Sequence, residues 1–357
     1  MSAEGLPGPQ HILVTGGAGY IGSVLVGALL TRGHWVTVVD SLLFGGESLV
    51  MWFPSPHFHF VRGDVSRRGP IAEAWEETRR RGAPPVRAVI HLAAIAGHPA
   101  AEAAGREAVW RQNVKAVRTV FEEAERLGAN RFALASTSSV YGRTPKGEEI
   151  GEEGPLNPLS LYAESKVEAE RALQEDSRGA SCATLVFRFA TAFGISPRMR
   201  FDLLFNQFVE QAYERGELEI YHGDQSRTFV HVRDIAEGVI AGLACPDRKI
   251  RGQVLNLGIE SGTCTKDQLV DQIVEALPGT RVRRPDRGFG GDERDLRLSF
   301  ARIREALGFR PRVSLPEGIA ELVSLLRAGL LPDPGSGRYR NAAPIAAQTR
   351  PRGVNSR

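Results

Sequence analysis

The feature that most constrains the fold of this chain is a glycine-rich turn near its N-terminus. An apolar run at 12–14 leads into Gly16, Gly19 and Gly22, and apolar residues with helical spacing follow from Val24 to Leu29. This order predicts a strand, a tight turn and a helix. Glycine permits backbone conformations that are closed to other residues, and it lets a pyrophosphate approach the main chain. The N-terminus of the helix then offers free N–H groups and a positive dipole end to that phosphate.

An acidic residue at the end of the second apolar run indicates which dinucleotide binds. The run 35–39 ends at Asp40, which lies 24 residues after Gly16. A carboxylate in this position accepts hydrogen bonds from the 2′-hydroxyl of an adenosine ribose and repels a 2′-phosphate. The sequence therefore predicts NAD in preference to NADP.

Composition indicates an ordinary soluble protein that holds a small molecule. The 357 residues are 42% hydrophobic and 24% charged, which fits one large domain or two coupled ones. A net charge of +3 does not indicate a nucleic-acid partner. Cys182, Cys245 and Cys264 form neither a Cys-x-x-Cys pair nor a metal-ligand spacing, which favours a reducing compartment and no metal site. With no membrane-length apolar run and no signal peptide, we expect a cytoplasmic protein without a membrane partner.

Strands alternate with helices over the first 190 residues. This alternation predicts the α/β class, with a doubly wound parallel sheet of the Rossmann type. We expect a flexible N-terminus over 1–10, an NAD-binding domain over 11–194 and mainly a substrate-binding lobe over 195–330. The Pro- and Gly-rich tail 331–357 has no apolar period and is expected to be disordered.

The chemistry is expected on a helix that Asn157 and Pro158 are predicted to open. The helix places Tyr162 and Lys166 four residues apart on one face. A free tyrosine is a poor base because its pKa is about 10, and a neighbouring ammonium lowers that pKa toward neutrality. Hydroxyl side chains at 136–139 end the preceding strand, where a hydrogen-bond donor to a reacting alcohol is needed.

With these motifs on one chain, the sequence resembles the extended short-chain dehydrogenase/reductase superfamily, in its sugar-nucleotide epimerase/dehydratase branch. The resemblance covers about residues 10 to 315. The segments that carry it are Thr15–Gly22, Asp40, Asp64–Val65, His91–Ala94, Asn113, Ser136–Ser138, Tyr141–Gly142, Tyr162–Lys166, Arg188–Gly194, Arg227–Asp234, Asn256–Gly258 and Leu307–Phe309.

The resemblance implies a role for each matching residue. The residues expected to cradle the NAD pyrophosphate are Gly16, Gly19, Tyr20, Ile21 and Gly22. Those expected along the rest of the cofactor are Asp40 at the ribose, Asp64 and Val65 at the adenine, and Ala93, Ala94, Asn113, Tyr162 and Lys166 in the groove. Those expected to contact a nucleotide-sugar substrate are Thr137, Thr191, Arg200, Arg227 and Asn256.

In the catalytic trio that the resemblance implies, Tyr162 is the general base and Lys166 lowers its pKa while bonding the nicotinamide ribose. Thr137 hydrogen-bonds the reacting oxygen. Arg227 matches an arginine that neutralises the nucleotide diphosphate. Thr191 stands where many relatives have an asparagine that touches the nucleotide phosphates. The neighbouring pair Arg198 and Arg200 fits surface charges and substrate contacts equally well.

Departures from the family pattern reduce the number of reactions that this chain is expected to catalyse. The 4,6-dehydratases have Asp-Glu after this threonine, and a decarboxylase would need a glutamate at Ser139, whereas this chain has Ser138 and Ser139. Hydroxyl groups do not readily supply that acid and base work, which disfavours both reactions. The prediction is an NAD-dependent nucleotide-sugar epimerase, most simply at C4.

Two alternatives stay open beside the epimerase. One is an NAD-dependent oxidoreductase with net turnover, such as a 4-keto-sugar reductase or a sugar alcohol oxidase. The other is a non-catalytic NAD-binding sensor, which the presence of Thr137, Tyr162 and Lys166 together disfavours. The resemblance also implies a homodimer that pairs through two long helices, predicted over 102–127 and 158–175.

Overall fold

A computed structural model describes residues 8–144, 148–285 and 295–349. Its strands are β1 (His11–Thr15), β2 (Trp35–Asp40), β3 (Phe58–Arg62), β4 (Val86–His91), β5 (Arg131–Thr137), β6 (Ala183–Phe189), β7 (Thr191–Phe193), β8 (Glu217–Glu219), β9 (Ser226–His231), β10 (Gln253–Leu257), β11 (Thr263–Thr265) and β12 (Arg281–Arg283). Its helices are α1 (Tyr20–Thr31), α2 (Arg68–Arg80), α3 (His98–Ala104), α4 (Arg106–Trp110), α5 (Ala116–Arg126), α6 (Leu161–Asp176), α7 (Leu204–Arg215), α8 (Val232–Ala244), α9 (Asp247–Ile250), α10 (Lys266–Ala276), α11 (Ala301–Leu307), α12 (Leu315–Arg327) and α13 (Ala342–Thr349).

The central sheet has seven strands in the order β10-β6-β5-β4-β1-β2-β3, and all of its neighbours are parallel. The chain winds outward from β1 to β3 and then returns to β4 on the other side of β1. Such a reversal leaves a crevice at the carboxyl ends of the two central strands, and ligands of this fold class bind there. The predicted doubly wound α/β fold is confirmed.

Both faces of the sheet are buried, as alternate residues of β1 show. Ile12 and Val14 belong to a core that includes Leu25 of α1, whereas Leu13 belongs to a second core that includes Val117 and Phe121 of α5. Successive side chains of a strand point to opposite faces, so helices must cover the sheet on both sides. This explains why Ile12, Leu13 and Val14 of β1 are consecutive apolar residues instead of alternating with polar ones.

One strand from the range assigned mainly to the substrate-binding lobe, 195–330, lies in the large sheet. Strand β10 pairs in parallel with β6, from Gln253 opposite Leu185 to Leu257 opposite Phe189. Helix α8 also packs against α1 of the large domain. The large domain therefore resumes after the chain has built part of the lobe. The lobe has a separate aromatic core, in which the rings of Phe193 and Phe205 have centroids 4.3 Å apart.

Two predicted helices differ from those in the structure. The helix expected over 102–127 is interrupted at Gly105, whose φ of +79° an L side chain rarely adopts, and it continues through α4, a π-helical turn (Arg111–Lys115) and α5. Helix α6 begins at Leu161 and not at Asn157. Its N-cap is Ser160, whose Oγ accepts a hydrogen bond from the N–H of Ala163 at 3.2 Å.

The tail, expected to be mostly disordered or loosely docked, contains secondary structure within 331–349. A 3-10 turn (Gly337–Tyr339) and helix α13 follow the last lobe helix, and α13 packs against α3. Ile345 anchors α13 to the rest of the protein, because it joins a buried apolar cluster with Ile95, Ala100 and Ala101. Residues 350–357 and 1–7 lie outside the described residues. In the described ranges, no helix combines the length and the apolar character needed to cross a bilayer.

Candidate functional site

A cavity of about 600 Å³ opens at the carboxyl ends of β1, β2, β4 and β5. This volume lies in the usual range for small-molecule sites. The sequence-predicted residues that line it are Gly16, Gly19, Tyr20, Ile21, Gly22, Asp40, Asp64, Val65, Ala93, Ala94, Tyr162, Lys166 and Arg200. The fold therefore brings together residues that lie almost 190 positions apart in the chain.

The turn between β1 and α1 leaves no room for side chains. A Cβ on Gly16 would lie 2.6 Å from the backbone nitrogen of Ala93, and a Cβ on Gly22 would lie 2.2 Å from the carbonyl oxygen of Gly16. Gly16 also has a φ of +73°. Both glycines are thus required for the close approach of main-chain segments, and the N–H groups of the first turn of α1 stay accessible from the cavity.

Asp40 is held at the end of β2 by two backbone donors. Its Oδ2 accepts from the N–H of Ala18 at 3.0 Å, and its Oδ1 accepts from the N–H of Leu42 at 2.8 Å. Burial raises the pKa of Asp40 above its ordinary value, although both hydrogen bonds oppose that shift. The carboxylate is therefore fixed in orientation, and each of its oxygens keeps capacity to accept from a ribose hydroxyl.

Asp64 occupies the other predicted adenosine position. Gln112 donates to its Oδ1 at 2.9 Å, and so does the N–H of Ser66 at 2.9 Å. Burial raises the pKa of Asp64, but these hydrogen bonds outweigh burial and hold the pKa below its usual range. Asp64 is thus an ionised acceptor at neutral pH.

Asn113 lies in the π-helical turn and clamps the loop after β4. Its Oδ1 accepts from the N–H of Ile95 at 2.8 Å, and its Nδ2 donates to the carbonyl of Ile95 at 3.1 Å and to Ser165 Oγ at 2.9 Å. The side chain is buried and does not line the cavity. Asn113 therefore shapes the cofactor side of the site by joining the β4 loop to α6.

Tyr162 and Lys166 both reach the cavity from the first turns of α6. The Nζ of Lys166 donates to the carbonyl oxygen of Ala135, at the end of β5, over 2.8 Å. Burial lowers the pKa of Lys166 to about 8, and the nearby Glu170 limits that fall. The ammonium is thus close to its titration point while it holds α6 against the edge of the sheet.

A buried ion pair, one helical turn beyond Lys166, stabilises the position of α6 against the sheet. Glu170 lies one turn after Lys166 and binds Arg188 of β6, whose Nη2 lies 2.7 Å from Oε2. Arg188 also donates through Nη1 to the hydroxyl of Tyr141 at 2.8 Å. Ser136 at the end of β5 donates to the same Glu170 carboxylate. The helix that carries the predicted base is therefore tied to β5 and β6 by charged hydrogen bonds.

Four further predicted residues do not line the cavity. Thr137 is half-buried, and its Oγ1 both donates to Ser139 Oγ and accepts from the N–H of Ser139, each at 3.2 Å. Thr191 is half-buried at the start of β7. Arg227 is buried and donates to the carbonyl of Ser226 at 2.8 Å, and Asn256 accepts from the hydroxyl of Tyr141 at 2.7 Å. Their predicted substrate contacts stay predictions.

Arg198 is the cavity residue that sequence reasoning left undecided. Its guanidinium lies over the ring of Phe44, 4.7 Å from the centroid, and the residue is 7% exposed. Its Nη2 has no hydrogen-bond partner among the described residues. Burial, reinforced by the charge of Arg200, lowers the pKa of Arg198 to about 10. Because the sequence shows charge but not burial, the pair Arg198 and Arg200 could not be separated from surface arginines.

The residues of the cavity fit NAD. The glycine turn leaves main-chain space that a Cβ would fill, and the orphaned Nη2 of Arg198 supplies a cationic donor for which a diphosphate is the natural acceptor. Asp40 and Asp64 supply ionic acceptors at the two adenosine positions. When bound, NAD provides the acceptor and donor of a hydride.

Comparisons with known proteins agree with this geometry. UDP-glucuronic acid decarboxylase 1 of Arabidopsis thaliana is 31% identical over 336 residues, which are 92% of this chain and 72% of that protein. A dTDP-glucose 4,6-dehydratase from Streptomyces venezuelae, solved with NAD bound, is 29% identical with a TM-score of 0.77, covering 89% of this chain and 97% of that one. The UDP-glucose 4-epimerase of Thermotoga maritima, solved with UDP-glucose, is 27% identical with a TM-score of 0.77, covering 90% and 100%.

These similar proteins are named for three different reactions. They therefore support NAD-dependent chemistry on a sugar nucleotide and do not single out one reaction. A family model described as the NAD dependent epimerase/dehydratase family matches residues 12–258. The predicted NAD cofactor is confirmed at this level. The chain belongs to the NAD-dependent epimerase/dehydratase family of sugar-nucleotide enzymes.

Proposed function

We propose that this protein is an NAD-dependent nucleotide-sugar epimerase that acts at C4. The observation that carries the proposal is the distribution of carboxylates around the cavity. Among the described residues that line it, the acidic ones are Asp40 and Asp64, both at the predicted adenosine positions. The other polar residues that line the cavity include the hydroxyl of Ser136 and the cations Lys166 and Arg200. This set supports removal and return of one hydroxyl proton, which is what epimerisation at a carbinol carbon requires.

Tyr162 accepts the proton of the C4 hydroxyl while the C4 hydrogen leaves as a hydride. The 4-keto sugar turns over in the site, the hydride returns to the opposite face, and Tyr162 returns the proton to the oxygen. Bonds and electrons balance, since the oxidation of C4 is reversed within one turnover. The ammonium of Lys166 favours the phenolate form of Tyr162, and Thr137, once its hydroxyl releases Ser139 Oγ, donates to the reacting oxygen.

Elimination of water or loss of CO₂ would need a further acid or base beside Tyr162. Ser138 and Ser139 are buried hydroxyl residues at those positions. We therefore rank the dehydratase and the decarboxylase below the epimerase. A net oxidoreductase uses the same Tyr162 and Lys166, so only the products separate it from an epimerase.

The test is incubation of the purified protein with UDP-, GDP-, dTDP- and CDP-sugars, beginning with UDP-glucuronate because a similar protein is named for it. An epimer keeps the mass and changes the C4 signals in NMR, whereas a dehydratase or decarboxylase lowers the mass. NADH that accumulates in step with product would contradict the epimerase and support a net oxidoreductase.

A matched variant tests the assignment of the base. Tyr162→Phe removes the phenolic proton acceptor and keeps the ring, so turnover should be abolished while NAD affinity changes little. Activity that survives this substitution would refute the mechanism. If no nucleotide sugar reacts with the wild-type protein but NAD binds tightly, the sensor alternative is favoured.

We also propose a homodimer, which rests on the family pattern of pairing through the helices that correspond to α5 and α6. Light scattering coupled to size-exclusion chromatography tests it. A monomer at micromolar concentration would contradict this proposal without touching the catalytic one.

A further inference from the structure

Residues 337–349, which we call the C-terminal strap, form part of the wall of the cavity. The strap consists of the 3-10 turn (Gly337–Tyr339) and α13. Asn341 and Ile345 line the same cavity as Tyr162. The family match ends at residue 258, so the strap lies outside the motifs of the family model.

The position of the strap is fixed by hydrogen bonds to the segment before α7. The carbonyl of Tyr339 accepts from the N–H of Phe201 at 2.9 Å, and Arg340 Nη1 donates to the carbonyl of Phe201 at 2.9 Å. The N–H of Asn341 donates to Asp202 Oδ2 at 2.9 Å. With α13 packed on α3, the strap is held at both ends of its path across the cavity.

The side-chain amide of Asn341 has one orientation and one unused acceptor. Its Nδ2 donates to the carbonyl of Ala96 at 3.2 Å. Only an N–H can donate to a carbonyl oxygen, so the opposite assignment of the amide is excluded. The residue is 4% exposed, and its Oδ1 has no hydrogen-bond partner among the described residues. A buried acceptor without a partner is costly, and a polar ligand group removes that cost.

Asn341 lies at the catalytic end of the cavity. Its partner Asp202 binds Arg200 through two contacts of 2.8 and 3.0 Å, and the Arg200 charge interacts with Tyr162. Ile345, one helical turn further along the strap, belongs to the apolar cluster against which Tyr162 packs. Asn341 is therefore connected to the Tyr162 end of the cavity through Asp202 and Arg200.

We propose that Asn341 Oδ1 accepts a hydrogen bond from a hydroxyl group of the sugar, and that the strap thereby selects the sugar. The inference rests on the proposed function, because the C4 hydroxyl must lie at Tyr162 for the sugar ring to reach Asn341. A pyranose carries hydroxyl donors on several carbons, and one correctly oriented hydroxyl satisfies the acceptor. A sugar that lacks this hydroxyl leaves Oδ1 buried without a partner and binds more weakly.

The experiment compares Asn341→Ala and Asn341→Leu with Arg338→Ala. The leucine variant keeps the branched arrangement of heavy atoms without the polar groups, so it serves as the second variant if the alanine variant folds poorly. Arg338 is exposed on the strap and does not line the cavity, which makes it the matched control. We expect the KM of the preferred nucleotide sugar to rise about 3- to 10-fold in both Asn341 variants, as loss of one neutral hydrogen bond predicts. The Kd of NAD and the KM of the control variant should not change.

Deoxy analogues of the preferred substrate identify the hydroxyl. For the analogue that lacks it, Asn341→Ala should cause no further loss, because the contact is already absent. Equal losses with every analogue would show that Asn341 acts only on the shape of the site and would overturn the proposal. A fall in NAD affinity would place the contact on a ribose hydroxyl of the cofactor and would overturn it as well.

Failure of this inference is separable from failure of the proposed function. If the wild-type protein epimerises a nucleotide sugar and the Asn341 variants do so with unchanged KM, the inference fails and the function stands. If the wild-type protein converts none, the function fails, and calorimetric binding of the same nucleotide sugars in the presence of NAD still tests Asn341. Equal affinities in wild type and variants, or no binding to either, then overturn the inference.

Discussion

The buried pair of Arg188 and Glu170 allows a sharp test of how the catalytic helix is held. Both side chains are at most 5% exposed, and Arg188 uses Nε and Nη2 on the carboxylate and Nη1 on the hydroxyl of Tyr141 and the carbonyl of Glu152. Arg188→Met removes the cation and keeps most of the volume. Among the described residues, the carboxylate of Glu170 is then left in the core with the hydroxyl of Ser136 as its one remaining donor.

The expected magnitude follows from this geometry. Breaking a buried pair by removing one partner costs about 3–5 kcal/mol, since the other charge stays buried and uncompensated. The double variant with Arg188→Met and Glu170→Met removes both charges of the pair, so neither is left unpaired in the core. It still loses the hydrogen bonds to Tyr141 and Glu152, so its expected cost is about 1–3 kcal/mol. The double variant should therefore be more stable than either single variant.

The assay is urea unfolding followed by circular dichroism and by fluorescence, with coincident transitions as the condition for a two-state free energy. Arg118→Met is the matched control, because Arg118 pairs with Glu175 at the end of the same helix but is 41% exposed. Its expected cost is about 1 kcal/mol or less. A cost for Arg188→Met no larger than that of the control, or a double variant as unstable as the sum of the singles, would refute the reasoning.

Three further outcomes are expected. Burial lowers the pKa of Lys166 to about 8, so its ammonium is present below that pH and is lost as the pH rises through it. In a pH–rate profile, kcat should therefore fall above about pH 8, and Lys166→Arg should move that fall to higher pH. Gly22→Ala places a Cβ 2.2 Å from the carbonyl oxygen of Gly16 and should weaken NAD binding by about tenfold or more in calorimetry, whereas Gly69→Ala, whose Cβ meets nothing within 4 Å, should not. Asp40→Ser removes the charge that repels a 2′-phosphate, so the ratio of NAD to NADP affinities in fluorescence titrations should fall about tenfold or more.

The parts of the site that sequence predicted are those in which local pattern and tertiary position coincide. The glycine turn must follow a strand and open a helix, which fixes it at the edge of a parallel sheet. Asp40 ends the next strand and so lies at the same edge. Tyr162 and Lys166 share a helix face whether the helix begins at Pro158 or at Leu161. The three-residue error in the predicted start therefore did not affect the predicted pairing of these two side chains.

The parts that sequence could not predict depend on contacts between distant segments. In the sequence, Gly105 is indistinguishable from a glycine that a continuous helix tolerates. Its φ of +79° shows that the helix is interrupted there. The run 253–257 has the same apolar character whether it joins the lobe or the large sheet, and only its pairing with β6 decides. Helix α13 of the strap contains one large apolar residue, Ile345, among mostly small ones, so it has no helical period to recognise.

The reaction itself must be decided by few side chains, because proteins named for different reactions share this fold. The cofactor half of the cavity comes from residues of the shared motifs, and any member of the family needs it in the same form. The half that we propose for the substrate includes Arg200, which pairs with Asp202, and Asn341 of the strap. Ser138 and Ser139 are buried hydroxyl residues that follow Thr137 at the end of β5. In this half, an added carboxylate can supply the further acid or base that elimination requires. A changed hydrogen-bond acceptor in this half can alter which sugar binds. Exchange of Ser139 for Glu is therefore the substitution by which this scaffold would most directly approach decarboxylation, whereas no substitution of Asp40 or Asp64 would change the reaction type.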